Sequence, residues 1–163
     1  MKRLLILLIA VGASSFAWSQ KIGHIDSQAL LEIMPGREAK MQEFTVFQDE
    51  LEAYLVEMQK DYQTMIEEYQ TEGPTWPESY AQSKLEALAS QEKQIASFQE
   101  QASKDLIDKE AELFQPLIDD AKKAIEEVAA ANGFTYILDS QALLYQNGED
   151  ILPLVKTKLG ITE

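Results

Sequence analysis

Few side chains in this chain of 163 residues are of a type that could carry out chemistry. His24 is the only histidine and there is no cysteine, so neither a second imidazole nor a thiolate could complete a metal site or a nucleophilic pair. Asp26 and Asp139 each begin the same six residues, Asp-Ser-Gln-Ala-Leu-Leu, after an apolar run. A facing pair of carboxylates could act in acid–base catalysis, but it would need a base or metal partner that the sequence does not offer.

A structural role explains these residues more simply. Asp followed by Ser favours a turn in which the carboxylate accepts a backbone hydrogen bond, so we expect both aspartates to close the end of a strand. We expect His24 to be a packed strand residue. The sequence contains no Gly-x-Ser-x-Gly elbow and no phosphate-binding loop. It therefore predicts that the protein is not an enzyme and has no catalytic residue, no cofactor and no metal site.

The first 19 residues have the pattern of a signal peptide. Two basic residues precede an apolar run, Leu4 to Val11, which is too short to span a bilayer, and Ala17-Trp18-Ser19 fits a cleavage site. We place the cut after Ser19, so that residues 20–163 form a single exported domain. No later stretch is apolar enough to anchor in a membrane, and no cysteine could carry a lipid anchor. The sequence therefore predicts a soluble, exported protein.

The charge balance is strongly acidic. The chain carries 14 basic and 28 acidic residues, a net charge of −14, and removal of the first 19 residues takes away two of the bases. Binding of nucleic acid requires lysine and arginine to neutralise phosphates, so DNA and RNA are not expected as partners. The same charge argues against contact with anionic lipid.

The middle of the chain predicts a long helical hairpin. No glycine or proline occurs from Arg37 to Thr71, and apolar residues recur there at steps of three and four, which indicates one continuous helical stripe. Glycine and prolines between Glu72 and Pro77 interrupt the pattern, and a second stripe continues as far as Val128. Two long helices joined by a tight break predict an antiparallel pair. We assign the arm to residues 36–116, with Pro116 at its junction with the rest of the chain.

The two ends of the chain supply the predicted strands. Their alternating, β-branched composition predicts strands at 21–26, 134–138 and 142–145, with short helices at 27–34 and 151–159. The predicted fold class is thus mainly α with a small β body, formed by residues 20–35 and 117–163. So few strands make a poor sheet alone, and a two-helix arm leaves apolar surface uncovered. Several chains are therefore expected to pool their strands with cyclic symmetry.

Aromatic side chains recur along the predicted arm and are its candidate binding residues. Most of them belong to the stripe that packs one helix on the other, so they are core residues first. Trp76, at the break between the helices, could touch a partner or pack on its own hairpin. The candidate contact residues are Phe44, Phe47, Tyr54, Tyr62, Tyr69, Trp76 and Phe98.

The order of these features resembles the Skp/OmpH family of periplasmic chaperones over residues 20–160. The resemblance depends on Lys21 to Asp26 after a signal peptide, Leu30 to Pro35 before a Gln- and Glu-rich hairpin, and the closing segments Gly133 to Tyr145 and Asp150 to Leu159. It implies a jellyfish-like homotrimer with a β body and three helical tentacles. It also implies ATP-independent holding of unfolded outer-membrane β-barrel proteins, the clients, between the tentacles during outer-membrane assembly.

The charge of the arm departs from this resemblance. Familiar family members are strongly basic, whereas residues 36–115 carry 18 acidic and 7 basic residues here. Contact with membrane or lipopolysaccharide is therefore not expected. Clients would have to be held through exposed apolar and aromatic side chains, or be basic themselves.

Two other classes of protein fit the same patterns. An envelope coiled-coil adaptor, or a structural protein, would use the apolar stripe to bind a folded partner helix. A membrane-surface protein would use it to bind lipid, although acidic arms disfavour that function.

Overall fold

The structure is a computed structural model that describes residues 20–161, so the predicted signal peptide lies outside the described residues. The chain divides into two compact units. The sheet unit contains the described residues 20–34 and 120–161, and the hairpin unit contains residues 35–119. Between residues 20 and 161, no helix is both long enough and apolar enough to cross a membrane.

The secondary structure is mainly helical with one small sheet, which confirms the predicted fold class. In chain order the elements are β1 (Ile22–Ile25), α1 (Ser27–Glu32), α2 (Arg37–Glu72), α3 (Glu78–Ala131), β2 (Tyr136–Asp139), β3 (Glu149–Asp150) and α4 (Leu152–Lys158). Short 3-10 turns lie at Gly73–Thr75 and Ser140–Ala142.

The hairpin unit consists of α2 and most of α3. Helix α2 has 36 residues, which corresponds to a length of about 54 Å. It ends at the 3-10 turn, where Thr75 donates its hydroxyl hydrogen to the carbonyl oxygen of Glu72 at 2.7 Å. Helix α3 continues through Pro116, and the boundary between the two units falls on it between Asp119 and Asp120.

Three side-chain pairs along the hairpin define how α2 and α3 are aligned. They are Glu43–Lys109, Tyr54–Phe98 and Glu68–Lys84. The Nζ–Oε1 distance is 2.8 Å in both ion pairs, and the two ring centroids lie 4.9 Å apart. The two residue numbers add up to the same total in every pair. The antiparallel alignment therefore does not slip between the first pair and the last.

The sheet has three parallel strands in the order β2-β1-β3. Residues Ile22 to Ile25 of β1 pair with Tyr136 to Asp139 of β2, and Gly23 and His24 pair with Glu149 and Asp150 of β3. Parallel pairing requires a long connection between strands, and here the two long helices lie between β1 and β2 in the chain.

A close contact beneath β1 requires glycine at position 23. A Cβ atom there would lie 2.8 Å from Cε1 of Phe134 and 3.0 Å from Cδ1 of Ile137. Both side chains are half-buried, and the Phe134 ring would have to shift to admit a Cβ atom. The core of the sheet unit contains Ile25, Leu30, Met34, Ala121, Ala124, Val128, Ile151 and Val155, all of which are buried.

Helix α3 ends where Asn132-Gly133 predicts a stop. Gly133 has φ of +70°, a conformation that favours glycine. The backbone N–H of Phe134 donates to the carbonyl of Ala129 at 3.0 Å, and that of Gly133 donates to Ala130 at 3.4 Å. These two bonds form a Schellman motif, which satisfies carbonyl groups at the end of the helix.

The strand predicted at 142–145 is wrong. The chain forms a 3-10 turn at Ser140–Ala142 instead, and residues 143–148 contain neither helix nor strand. The third strand is Glu149–Asp150, where no strand had been expected. The reason is local, because the carboxylate of Asp139 accepts from the backbone N–H of Gln141 at 3.0 Å and turns the chain away from the sheet.

Candidate functional site

The two Asp-Ser-Gln-Ala-Leu-Leu copies lie side by side and bind each other. Asp26 directly follows β1, and Asp139 is the last residue of β2, which pairs with β1. Gln141 donates from Nε2 to Oδ2 of Asp26 at 3.0 Å, and Ser27 donates its hydroxyl hydrogen to Oδ2 of Asp139. Each aspartate also accepts from a backbone N–H, of Ala29 for Asp26 and of Gln141 for Asp139. The interpretation of both as strand-ending turn residues is confirmed.

The electrostatics of this network favour an ionised carboxylate. The hydroxyl of Ser27, with the backbone N–H of Gln141, lowers the pKa of Asp139 below its ordinary value. A carboxylate that accepts several hydrogen bonds is a poor general base, because its proton affinity is reduced. The network therefore stabilises the sheet unit.

His24 is half-buried in the central strand, as predicted for a packed strand residue. Its Nδ1 atom is buried and has no hydrogen-bond partner among the described residues. Between residues 20 and 161, no three His, Asp or Glu side chains are grouped so that they could hold a metal ion.

The predicted contact residues lie in or beside the seam of the hairpin unit. Tyr54 is the most open of them, with 53% of its surface exposed. The other predicted contact residues are half-buried: Phe44, Phe47, Tyr62, Tyr69, Trp76 and Phe98. Phe44 packs edge-to-face on Phe114, with ring centroids 6.2 Å apart. Contact of these residues with a client stays a prediction.

At the end of the hairpin, Trp76 packs on its own chain. Its ring meets those of Tyr69 and Tyr80 edge to face, at centroid distances of 5.9 and 5.0 Å. Nζ of Lys84 lies 5.5 Å from the centroids of Trp76 and Tyr80 and also forms the ion pair with Glu68. The aromatic cluster and the ion pair together join the ends of α2 and α3.

Six exposed apolar side chains of the hairpin unit are not among the predicted contact residues. These are Met41, Val46, Val56, Tyr80, Leu85 and Ile107, with exposed fractions between 38% and 64%. Val46, Val56 and Ile107 lie outside the spacing of three and four that marks the seam, so the search for a helical stripe passes over them, whereas Leu85 belongs to the second stripe. Their only signal in the sequence is an apolar side chain among Glu and Gln on the outer side of a helix.

The outer face of the sheet is a second exposed apolar surface. Ile22, Tyr136 and Leu138 alternate with inward residues on β1 and β2 and are 45%, 56% and 41% exposed. In the following segment, Leu144 and Tyr145 are 108% and 81% exposed. Monomeric proteins rarely expose large contiguous apolar patches, so this face is a candidate interaction surface.

A long helical hairpin with apolar side chains on its outer surface, together with a small parallel sheet, defines a mainly helical protein of the hairpin class. The chain belongs to the OmpH-like family, since the model of the family "Outer membrane protein (OmpH-like)" matches residues 21–159. The resemblance to the Skp/OmpH family is thereby confirmed.

Two known proteins illustrate the relationship. The chain is 28% identical to the chaperone protein Skp of Vibrio cholerae over 149 residues, which cover 90% of this chain and 86% of that protein. It also matches the crystal structure of an OmpH-like protein from Caulobacter crescentus, with a TM-score of 0.75 and 13% identity. That match covers 86% of this chain and 84% of the other, and at this identity it concerns the fold alone.

Proposed function

We propose that this protein is a periplasmic holdase chaperone. It binds unfolded outer-membrane β-barrel proteins without ATP and keeps them soluble until they are assembled in the outer membrane. The observation that carries the proposal is the series of exposed apolar side chains along the hairpin of a chain that belongs to the OmpH-like family.

The hairpin suits loose binding of an extended chain. Its exposed apolar residues are spread from Met41 to Ile107, with polar and acidic side chains between them. Each contact is weak, but many contacts on one client chain act together. Once the first contact has formed, the rest of the client is held near the hairpin at a high effective concentration, which favours the other contacts. A two-helix layer also has few buried contacts, which favours bending around clients of different size.

The working form is a homotrimer. The outer face of the sheet, with Ile22, Tyr136 and Leu138, supports this proposal, because exposed apolar side chains on a sheet face favour burial against another chain. Leu144 and Tyr145, in the segment after β2, are two further exposed apolar side chains. Three chains that join these faces would remove them from water and would bring three hairpins to one client.

The place of action is the periplasm. The basic start, the short apolar run and the small residues up to Ser19 support export by a signal peptide. The acidic charge of the hairpin unit argues against binding of membrane or lipopolysaccharide, so the clients are unfolded proteins rather than lipid.

The adaptor function predicts a different partner. A folded helix would need a continuous unpaired apolar stripe, whereas the stripes of α2 and α3 pack on each other through pairs such as Tyr54–Phe98. This packing favours the chaperone. A pull-down that recovers one tight folded partner, with no protection of unfolded proteins, would reverse the preference.

The proposed function is tested by light scattering. A urea-unfolded outer-membrane β-barrel protein is diluted into buffer with and without residues 20–163 and without nucleotide. The chaperone is expected to suppress the scattering at stoichiometric amounts. Scattering that is unchanged at both low and high salt would refute the function.

A further inference from the structure

A groove lies between α2 and α3, midway along the hairpin unit, and has a volume of about 290 Å³. Its floor is made of half-buried apolar side chains, Leu51, Leu55, Phe98 and Leu106. Exposed polar side chains, among them Glu52 and Ser103, form its rim. The volume is at the lower limit of small-molecule pockets, so the groove suits one or two side chains rather than a helix.

Two exposed apolar residues extend this surface. Val56 follows Glu52 by four residues on α2, and Ile107 follows Ser103 by four residues on α3. Residues four apart are neighbours on the same side of a helix, so both lie next to the groove. Val56 is 55% exposed and Ile107 is 64% exposed. An extended chain that inserts a side chain into the groove would cover them as well.

The charge around the groove is negative. Among the described residues that line it, Glu52 alone is charged. The surrounding helices carry 18 acidic and 7 basic residues over 36–115. Two of these bases, Lys84 and Lys109, are bound to Glu68 and Glu43 across the seam. A partner with positive charges beside its apolar side chains is therefore attracted here, and one with negative charges is repelled.

We propose that this groove binds an apolar side chain from an unfolded client segment in which lysine or arginine flanks apolar residues. The inference depends on the proposed chaperone function and specifies the class of client segment that the hairpin selects. Glu52 attracts the cation at the rim, and the floor removes the apolar side chain from water.

The experiment measures binding of two short fluorescent peptides to the protein of residues 20–163 by anisotropy. Both peptides carry the same leucine and tyrosine residues, with lysine between them in one peptide and glutamate in the other. Several exposed ion pairs of modest strength add up, so the lysine peptide is expected to bind about tenfold more tightly at low salt. The difference is expected to disappear in high salt, which screens exposed charges.

Two variants test the groove itself. Ser103→Phe fills it from the exposed rim, and Glu52→Lys reverses its only charge. Both are expected to weaken binding of the lysine peptide, the charge reversal by about threefold. The matched controls are Ser97→Phe and Glu92→Lys, at exposed positions outside the groove, and they are expected to change the binding less.

The outcomes separate the inference from the function on which it depends. Equal binding of the two peptides, or no effect of Ser103→Phe, would overturn the inference, while suppression of scattering in the same samples would leave the chaperone function intact. A change of oligomeric state in Ser103→Phe would also overturn it, because the groove would then be covered by another copy of the chain. If the unmodified protein neither binds the peptides nor suppresses the scattering, the chaperone function itself is refuted.

Discussion

The hydroxyl group of Ser27 donates a hydrogen bond to Oδ2 of Asp139, 112 residues later in the chain. Gln141 makes the reciprocal contact with Asp26, so each copy of the repeated six-residue sequence binds the other. Asp139 is the last residue of β2 and pairs with Ile25 of β1, and Asp26 directly follows Ile25. This network joins the two ends of the chain beside the sheet and makes Asp139 a determinant of the stability of the sheet unit.

Substitution Asp139→Asn is expected to destabilise the sheet unit by about 1–2 kcal/mol at neutral pH, because it removes a charged acceptor of two hydrogen bonds. The pKa of Asp139 is lowered in the folded state from its ordinary value of 3.8 by the hydroxyl of Ser27 and the backbone N–H of Gln141. The ionised carboxylate therefore stabilises the fold above the pKa of the unfolded chain, and this contribution is lost as the pH falls through the folded-state pKa.

Urea unfolding of both proteins between neutral pH and pH 3 measures this effect. The difference in stability between them should be largest at neutral pH and should shrink at pH values below 3.8. Asp108→Asn, at an exposed position on α3, is the control and should change little. A difference that does not vary with pH would contradict the role given to the charge.

Charge reversal tests the alignment of the hairpin at Glu43 and Lys109. The hydrogen bond from Lys109 lowers the pKa of Glu43, and the same bond raises the pKa of Lys109. Both side chains are therefore charged at every pH between these two pKa values. Glu43→Lys or Lys109→Glu alone places like charges across the seam and is expected to increase amide hydrogen exchange in the hairpin. The double variant restores an ion pair and should restore protection. Equal exchange in all four proteins would show that the pair does not contribute to the alignment.

The packing of Trp76 has a direct spectroscopic readout, because after residue 19 it is the only tryptophan. Trp76→Ala removes the ring from between Tyr69 and Tyr80. It is expected to destabilise the tip of the hairpin, where α2 ends and α3 begins, by about 0.5–1.5 kcal/mol per aromatic pair. Trp76→Phe should retain much of the packing. Hydrogen exchange at the tip measures the loss. Trp76 emission in the presence of a tryptophan-free unfolded client tests the predicted contact: a shift would support it, and unchanged emission would leave Trp76 with the packing role alone.

The outer face of the sheet is tested by Tyr136→Ser combined with Leu138→Ser. Both side chains point away from the core and are largely exposed, so the fold of one chain should tolerate the change. If the face joins the three chains, the variant should sediment as a smaller species than the unmodified protein at the same concentration. Val46→Ser, which removes an exposed apolar side chain of the hairpin unit, is the control and should leave the sedimentation unchanged. An unmodified protein that sediments as a monomer would contradict the proposed trimer.

The sequence predicts those elements whose signals are local. The apolar spacing of α2 and α3 marks both helices, and Asn132-Gly133 marks the end of α3, because each signal depends on neighbouring residues. The third strand was missed because Glu149 and Asp150 have no strand-like composition, and their pairing with β1 arises only when the chain has folded. Leu144 and Tyr145 have strand-like composition, but they remain exposed and join no strand of this chain.

The exposed apolar surface was harder to predict than the helices. A periodic search finds the residues that pack one helix on the other, so it selected seam aromatics such as Phe44 and Phe98. It passed over the exposed Val56 and Ile107, which break the period. The groove depends on how Leu51 and Leu106 are aligned across the hairpin, and that alignment is visible only in three dimensions.

The most direct test of the central claim is a titration of scattering suppression. Increasing amounts of the protein of residues 20–163 are mixed with a fixed amount of a urea-unfolded outer-membrane β-barrel protein on dilution, without nucleotide. A trimeric holdase predicts that suppression increases linearly and saturates near one client for every three chains. Aggregation that proceeds at the same rate at every ratio would contradict the chaperone function.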